Sequence, residues 1–237
     1  MALNGSAFLA LWNDVDPARD AEYNDWHTQE HVPERVGIPG FLSGRRYVAA
    51  ERSVDRYFTL YEVDALCAFA GPGYADVVAR PTAWTLAMRA SFRNFQRHPC
   101  ATVYSSGTGI GGSVATFRFA ADDAAAALDA GAAKALLAPF FETQGITSIH
   151  LGRAVPDAAF PLKNAAADVA AAGPGFVLLV EGVMRAGLDR ASPRIVAAIE
   201  GRAAPGHRVV AATFDLAYVI RRSELAHPTT QRQPARR

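Results

Sequence analysis

The order of elements along this chain occurs twice, and that repetition limits the folds open to it more than any other feature. In the first half, "SAFLALWN" (6–13) is an apolar run that ends in turn residues and reads as a buried strand. "DVDPARDAEYNDWHTQEH" (14–31) follows as a helix. Asp16 suits the N-cap, Pro17 suits the first helical position, and Asp20 and Glu22 favour the positive end of the helix dipole. Pro33 has no N–H for the carbonyl four residues back, so the helix is expected to end or kink near His31. "FLSGRRYVAA" (41–50) and "RYFTLYEV" (56–63) read as strands. A helical stretch broken by Gly71, Pro72, Gly73 and Pro81 comes next, and "HPCATVYSS" (98–106) is a last strand.

After "GTGIGG" (107–112) the order returns. "SVATFRFA" is a strand, and Asp122 or Asp123 caps the alanine-rich helix that ends in "LLAPFFE". "GITSIHLGRAV" (145–155) and "GFVLLVEGV" (175–183) are strands, "SPRIVAAIEG" is a helix opened by Ser192 and Pro193, and "RVVAATFDLAYVI" (208–220) closes the set. A sequence echo supports the repeat: "PGFLSGRRY" aligns with "QGITSIHLG", and "LYEV" with "LVEG". Two βαββαβ units are the ferredoxin-like arrangement in tandem, an α+β class. The expected parts are a first repeat at 1–106, a Gly-rich linker at 107–112, a second repeat at 113–221 and a disordered polar tail at 222–237. Each four-stranded sheet would carry helices on one face and leave the other apolar. Packing the two sheets together buries both apolar faces, so one chain supplies what is otherwise a dimer.

Half of the 237 residues are hydrophobic, enough for a real core, and the net charge of +1 argues against nucleic acid or an anionic membrane as partner. Cys67 and Cys100 have neither metal nor redox spacing, which suits a reducing cytoplasm. No signal peptide or membrane-spanning apolar run is read from the sequence.

The stretch "WHTQEH" (26–31) carries the chemistry. His27, Glu30 and His31 spell H-x-x-E-H, the pattern of inverted zinc peptidases. Two histidines one helical turn apart can share a metal, but zinc needs a third protein ligand. Glu62, Glu142 and Glu181 are the distant acids on offer, and none stands in a recognisable second element. The plainer readings are a metal-free acid/base pair or histidines that merely favour a helix C-terminus. "GTGIGG" fits a dinucleotide fingerprint by letter only, because a strand rather than a helix follows it.

The segment "EYNDWHTQEHVPERVGIPGFLSGRRY" (22–47) resembles the signature region of the dimeric α+β barrel superfamily, in its EthD-like branch. The resemblance implies an internal dimeric α+β barrel with a small-molecule cleft between sheet and helices. It carries over Trp26, Glu30, His31, Pro33, Arg45, Arg46 and Tyr47. Many such proteins are metal-free enzymes, and some bind haem. The position of His27 is frequently tyrosine in that branch, which favours His31 as the working residue.

The expected site therefore has His31 as acid/base, His27 assisting, and Arg45 or Tyr61 holding developing negative charge. Phe8, Trp12, Tyr23, Trp26, Glu30, Tyr47 and Trp84 would form the substrate pocket, with core packing as the alternative for each aromatic. Arg45 would equally serve as a structural partner of Glu62. The second repeat has no counterpart of His27 or His31, so one half works and the other is degenerate. The leading reading is a cofactor-independent, metal-free isomerase, cyclase or lyase acting on a small aromatic or cyclic substrate. A small-molecule or haem binding protein and a zinc hydrolase are the alternatives, and a homodimer of the duplicated chain stays open.

Overall fold

Strands β3 (Tyr57–Val63), β5 (Ser113–Phe119) and β7 (Phe176–Gly182) are buried along their whole length, because both of their faces are covered. One face looks into a closed barrel and the other is covered from outside, by helices over much of the sheet. The computed structural model describes residues 3–51, 54–120, 128–156, 175–202 and 208–225. Its other strands are β1 (Ala7–Val15), β2 (Phe41–Ala49), β4 (Phe92–Gly107), β6 (Ile146–Ala154) and β8 (Val210–Arg221). All pairings are antiparallel, and the order around the barrel is β1-β3-β2-β8-β5-β7-β6-β4. Each half contributes four strands in one shared order. The halves do more than pack face to face: they hydrogen bond along both edges, β2 with β8 and β4 with β6. Closure leaves neither sheet with an open edge.

The halves also share local detail. On β2, the step from Phe41 to Ser43 opposes the single step from Val63 to Glu62, and on β6 the step from Ile146 to Ser148 opposes Gly182 to Glu181. Both are β-bulges at the same place. Ahead of β1, the N–H groups of Asn4 and Gly5 donate to Glu62; ahead of β5, the N–H of Gly111 donates to Glu181. A Cβ at Gly5 or Gly111 would collide with the backbone of Val63 or Gly182. Glycine is therefore required for both approaches.

The first bulge corrects a sequence expectation. Strict alternation puts Phe41, Ser43, Arg45 and Tyr47 on one face. In the structure Phe41 packs on the helix side with Leu9, Tyr61 and Val63, while Tyr47 packs in the barrel with Phe8, Trp12 and Phe58. Arg45 lies in the barrel too, with Nη1 2.7 Å from Glu181 Oε1 and Nη2 3.7 Å from Glu62 Oε2. His150, its counterpart on β6, has Nε2 3.5 Å from the same Glu181 oxygen and Nδ1 2.8 Å from Ser105 Oγ.

The outer layer of the first half begins with α1 (Asp20–Trp26), a π turn (His27–His31) and α2 (Val32–Val36), which run on without a break. Asp16 caps the 3-10 turn before α1 by accepting from the Ala18 N–H at 3.0 Å. Of the two outcomes expected of Pro33, an end or a kink near His31, the helix does not end: Pro33 sits in the first turn of α2, where its missing donor is tolerated, directly after the π turn. Helices α3 (Pro72–Ala79) and α4 (Ala83–Arg89) complete this side. On the second half lie α5 (Ala130–Leu137), capped by Asp129, and α6 (Arg185–Glu200). Asp122 and Asp123 fall outside the described residues. Helix α6 starts well before Ser192, and Pro193 is inside it; the Ser192 hydroxyl donates to the Leu188 carbonyl at 2.8 Å. β4 likewise starts earlier than expected. At the end of β8, Arg222 donates to the carbonyls of Val36 and Ile38, at 3.2 and 2.5 Å, so 222–224 are docked beneath α2; residues 226–237 lie outside the described set. No helix among the described residues is long and apolar enough to cross a membrane.

Gly44 sets how closely α2 approaches β2. A Cβ there would lie 2.6 Å from Val32 Cγ1 and 2.9 Å from Val36 Cγ2. Both neighbours are β-branched and stiff. Gly44→Ala is therefore expected to lower stability by about 1–3 kcal/mol through overpacking. Urea denaturation reads this as a drop in midpoint at unchanged slope.

Candidate active site between sheet and helices

The π turn arranges the histidines. The Val32 N–H donates to the His27 carbonyl, an i→i+5 bond. Pro33 is the local reason, since it cannot supply the N–H that an α-helix would give to Gln29. In an α-helix, at ~100° per residue, residues five apart would diverge by roughly 140°. Here Trp26 and His31 instead stack, ring centroids 4.4 Å apart, and His27 lies 5.2 Å from His31. Single π turns are frequent at functional sites.

Both histidines face a cleft between the helices and the outer face of β1, β3 and β4, enclosing about 610 Å³ with its mouth. Trp26, Phe41, Tyr74, Phe92 and Phe95 give it aromatic walls; Asn13, Thr59 and Tyr61 rise from the strands. Among the described residues neither imidazole has a hydrogen-bond partner, and both Nδ1 atoms are buried. The Tyr61 hydroxyl is also buried without a partner among them. Such groups are costly to leave unmet in a fold, and they point to something that binds there.

Burial holds both histidines well below the usual imidazole value, and nearby guanidinium groups add to it: Arg46 at His27, Arg35 and Arg89 at His31. His27 is only 4% exposed; His31 is more open, although its Nδ1 is buried. Both are neutral at neutral pH, a form that accepts a proton. Burial pushes the Tyr61 phenol far above its usual range, so it stays a donor.

Glu30 is occupied elsewhere. Its Oε1 accepts from Thr82 Oγ1 at 2.5 Å, Thr85 Oγ1 at 3.1 Å and Trp26 Nε1 at 3.2 Å. It ties the π turn to α4 and sets the Trp26 indole. Glu62 and Glu181, two of the acids considered as third zinc ligands, are inside the barrel, on the far side of the sheet. Among the described residues no group of three His, Cys, Asp or Glu could hold a metal.

The structure thus brings His27, His31, Trp26 and Tyr61 together at one cleft and leaves other expected residues outside it. Arg45, Tyr47, Phe8 and Trp12 are in the barrel. Tyr23 supports His27 from behind at 5.1 Å; its hydroxyl donates to Asn13 Oδ1, and burial pushes its phenol up to about 12. Trp84 donates to Glu22 and does not line the cleft. Arg46 reaches the helix side instead of Arg45, donating to Thr28 Oγ1 and Asn24 Oδ1, both at 2.8 Å. Sequence reasoning missed Arg35, Arg89 and Arg97, which also line the cleft. The four-residue spacing from His27 to His31 to Arg35 was a readable signal for one of them. The other two arrive from α4 and β4.

No family model matches the sequence. No curated protein matches it either. Among solved structures, an anthrone oxidase-like protein superposes with a TM-score of 0.61 at 12% identity, covering 94% of this chain and 97% of its own. A candidate monooxygenase from Fusobacterium nucleatum gives 0.58 at 11% identity, covering 92% and 96%. A heme-binding protein from Thermus thermophilus gives 0.51 at 9% identity, covering 90% and 91%. At these identities the likeness establishes the fold alone, an α+β arrangement around an eight-stranded antiparallel barrel.

Proposed function

We propose that the chain is a small-molecule enzyme in which neutral His31 removes a proton from a cyclic or aromatic substrate held in the helix–sheet cleft. The observation that carries this reading is a pair of imidazoles, neutral and without hydrogen bonds, facing an aromatic-walled cleft beside an unpartnered phenol. His31 accepts the proton, His27 assists, and the Tyr61 hydroxyl donates to the oxygen on which negative charge develops. That anion is common to isomerisation, cyclisation and elimination, and no step of it calls on a metal or cofactor. The anthrone oxidase-like and monooxygenase names borne by proteins of the same fold agree with a small-molecule role. We also read the halves as a tandem duplication, supported by the shared bulges, the Gly5/Gly111 pair and the Glu62/Glu181 pair, and the first half as EthD-like on residues 22–47.

The test is deuterium exchange. A panel of cyclic ketones and phenols incubated with the protein in D2O should show catalysed exchange at one carbon by NMR. His31→Ala should slow it by about 10²–10⁴-fold, the usual worth of a positioned base. Exchange should be level through neutral pH and fall only on the acid side of 6.5, where His31 finally takes a proton. Unchanged exchange in His31→Ala would sink the acid/base role. Tight binding without exchange, or a Soret band on haem titration that His31→Ala abolishes, would replace it with a binding function.

A further inference from the structure

The cleft gathers positive charge. Arg35, Arg89 and Arg97 line it, and none of the described Asp or Glu residues does. The guanidinium groups of Arg35 and Arg97 lie over the ring of Tyr74, at 6.0 and 5.7 Å from its centroid. Arg97 also donates to the Tyr74 hydroxyl at 2.9 Å, and Arg35 pairs with Glu34 at 3.0 Å. Arg89 makes neither a hydrogen bond nor a salt bridge among the described residues, and partial burial followed by repulsion from Arg35 holds its guanidinium below the usual range. Stacking on Tyr74 accounts for Arg97 and for part of Arg35. It does not account for Arg89, a third guanidinium in the same cleft, which Arg35 repels and Glu34 offsets only in part. Like charges crowded at a partly dry site cost stability unless an anion joins them.

Resting on the proton-transfer reading of the same site, we propose that the substrate is a flat aromatic or alicyclic acid whose carboxylate docks on Arg89 and Arg35 while its ring lies among Trp26, Phe41 and Phe92. A carboxylate fits because two planar oxygens match the guanidinium fork. The aromatic walls fit a flat ring better than a bare inorganic anion. Arg35 and Arg89 are also the guanidinium groups that act on His31, so the docked acid places its reacting atom next to that ring. The same positive field then stabilises the second negative charge that proton removal creates.

The test uses 2-naphthoate, its neutral isostere 2-naphthamide, and 2-naphthyl phosphate, titrated into the full chain by calorimetry. Naphthoate is expected to bind about 10- to 100-fold more tightly than naphthamide, the range for a charge-assisted contact. Arg89→Gln should remove that preference while leaving naphthamide affinity unchanged. In free protein the same variant should raise Tm by relieving repulsion, and it should abolish the further rise that naphthoate gives the wild type. Equal binding of acid and amide, absence of binding by either, or a lower Tm in free Arg89→Gln would overturn the proposal. Tighter binding of the phosphate than of the carboxylate would overturn the carboxylate assignment. None of these readouts needs turnover: equal binding of acid and amide by the wild type, with exchange still dependent on His31, fails this inference alone, and a wild-type acid preference lost in Arg89→Gln, with exchange unchanged in His31→Ala, fails the proton-transfer reading alone.

Discussion

Glu181→Ala is expected to lower the unfolding free energy by about 3–5 kcal/mol, the cost of leaving one buried charge without its partner. Arg45 is 1% exposed and Glu181 is fully buried, so water cannot take over the lost contact. Burial by itself would raise the Glu181 carboxyl; His150, Arg45 and the Gly111 N–H outweigh it and hold the group ionised below its usual range. Arg45 comes from the first half of the chain and Glu181 from the second, so the pair ties the barrel shut from within. After truncation, Arg45 keeps only Glu62 at 3.7 Å among its carboxylates. Replacing both residues together, Arg45→Met with Glu181→Met, should recover only part of the loss: no guanidinium is stranded, but Glu62, His150 and the Gly111 N–H stay behind without these partners. Urea denaturation of the wild type and the two variants measures this. A loss below about 1 kcal/mol for Glu181→Ala would show that the tie is weak. The network lies in the barrel, so exchange activity at the outer cleft should survive in whatever fraction stays folded.

Acid is expected to unfold the protein earlier than carboxylate titration alone would predict. His27 and His31 are held well below 6.5 when folded and return to about that value when unfolded. As pH falls through 6.5 the unfolded chain takes up protons that the folded chain refuses, so stability drops. Each refused proton steepens the loss by about 1.4 kcal/mol per pH unit. His27 should deliver nearly all of this; His31, being more open, should deliver less. Glu181 has the same sign, but its share is lost only below 4.5, its unfolded value. The window from 6.5 to 4.5 therefore isolates the histidines. Stability measured by urea denaturation across that window should slope downward with acid, and His27→Gln should flatten the slope by about one proton. An unchanged slope would mean that His27 is protonated in the folded state.

The legibility of the site followed the range of the interactions that make it. His27 and His31 were readable because they lie four apart in one helical stretch, where spacing alone puts side chains on one face; Trp26 comes against His31 only through the π turn, since α-helical spacing would set them roughly 140° apart. Tyr61 was readable from strand alternation, which holds along β3 because that strand pairs without a bulge against β1. Arg45 was misplaced because alternation fails at the bulge between Phe41 and Ser43, and a bulge turns every later side chain on the strand to the other face. No local pattern announced that bulge. For Pro33 the sequence left open an end or a kink near His31; the missing hydrogen bond was absorbed by widening one turn there, not by ending the helix.

From the sequence alone came the repeated order of strands and helices, the doubled sheet, and the placing of two histidines and a tryptophan at one point of the first half. These depend on periodicity, caps and turns, which act over a few residues. Tertiary structure decided which face each strand shows, because closure of the barrel, with Glu62 and Glu181 clamped to the backbone before β1 and β5, is what gives each strand an inside. It also decided the charge of the site. Arg35 follows His31 by four residues on the same helical stretch, but Arg89 and Arg97 come from α4 and β4, and only the packing of those elements brings them to the cleft. Burial and that shared positive field, neither of which exists in the unfolded chain, make the two imidazoles neutral.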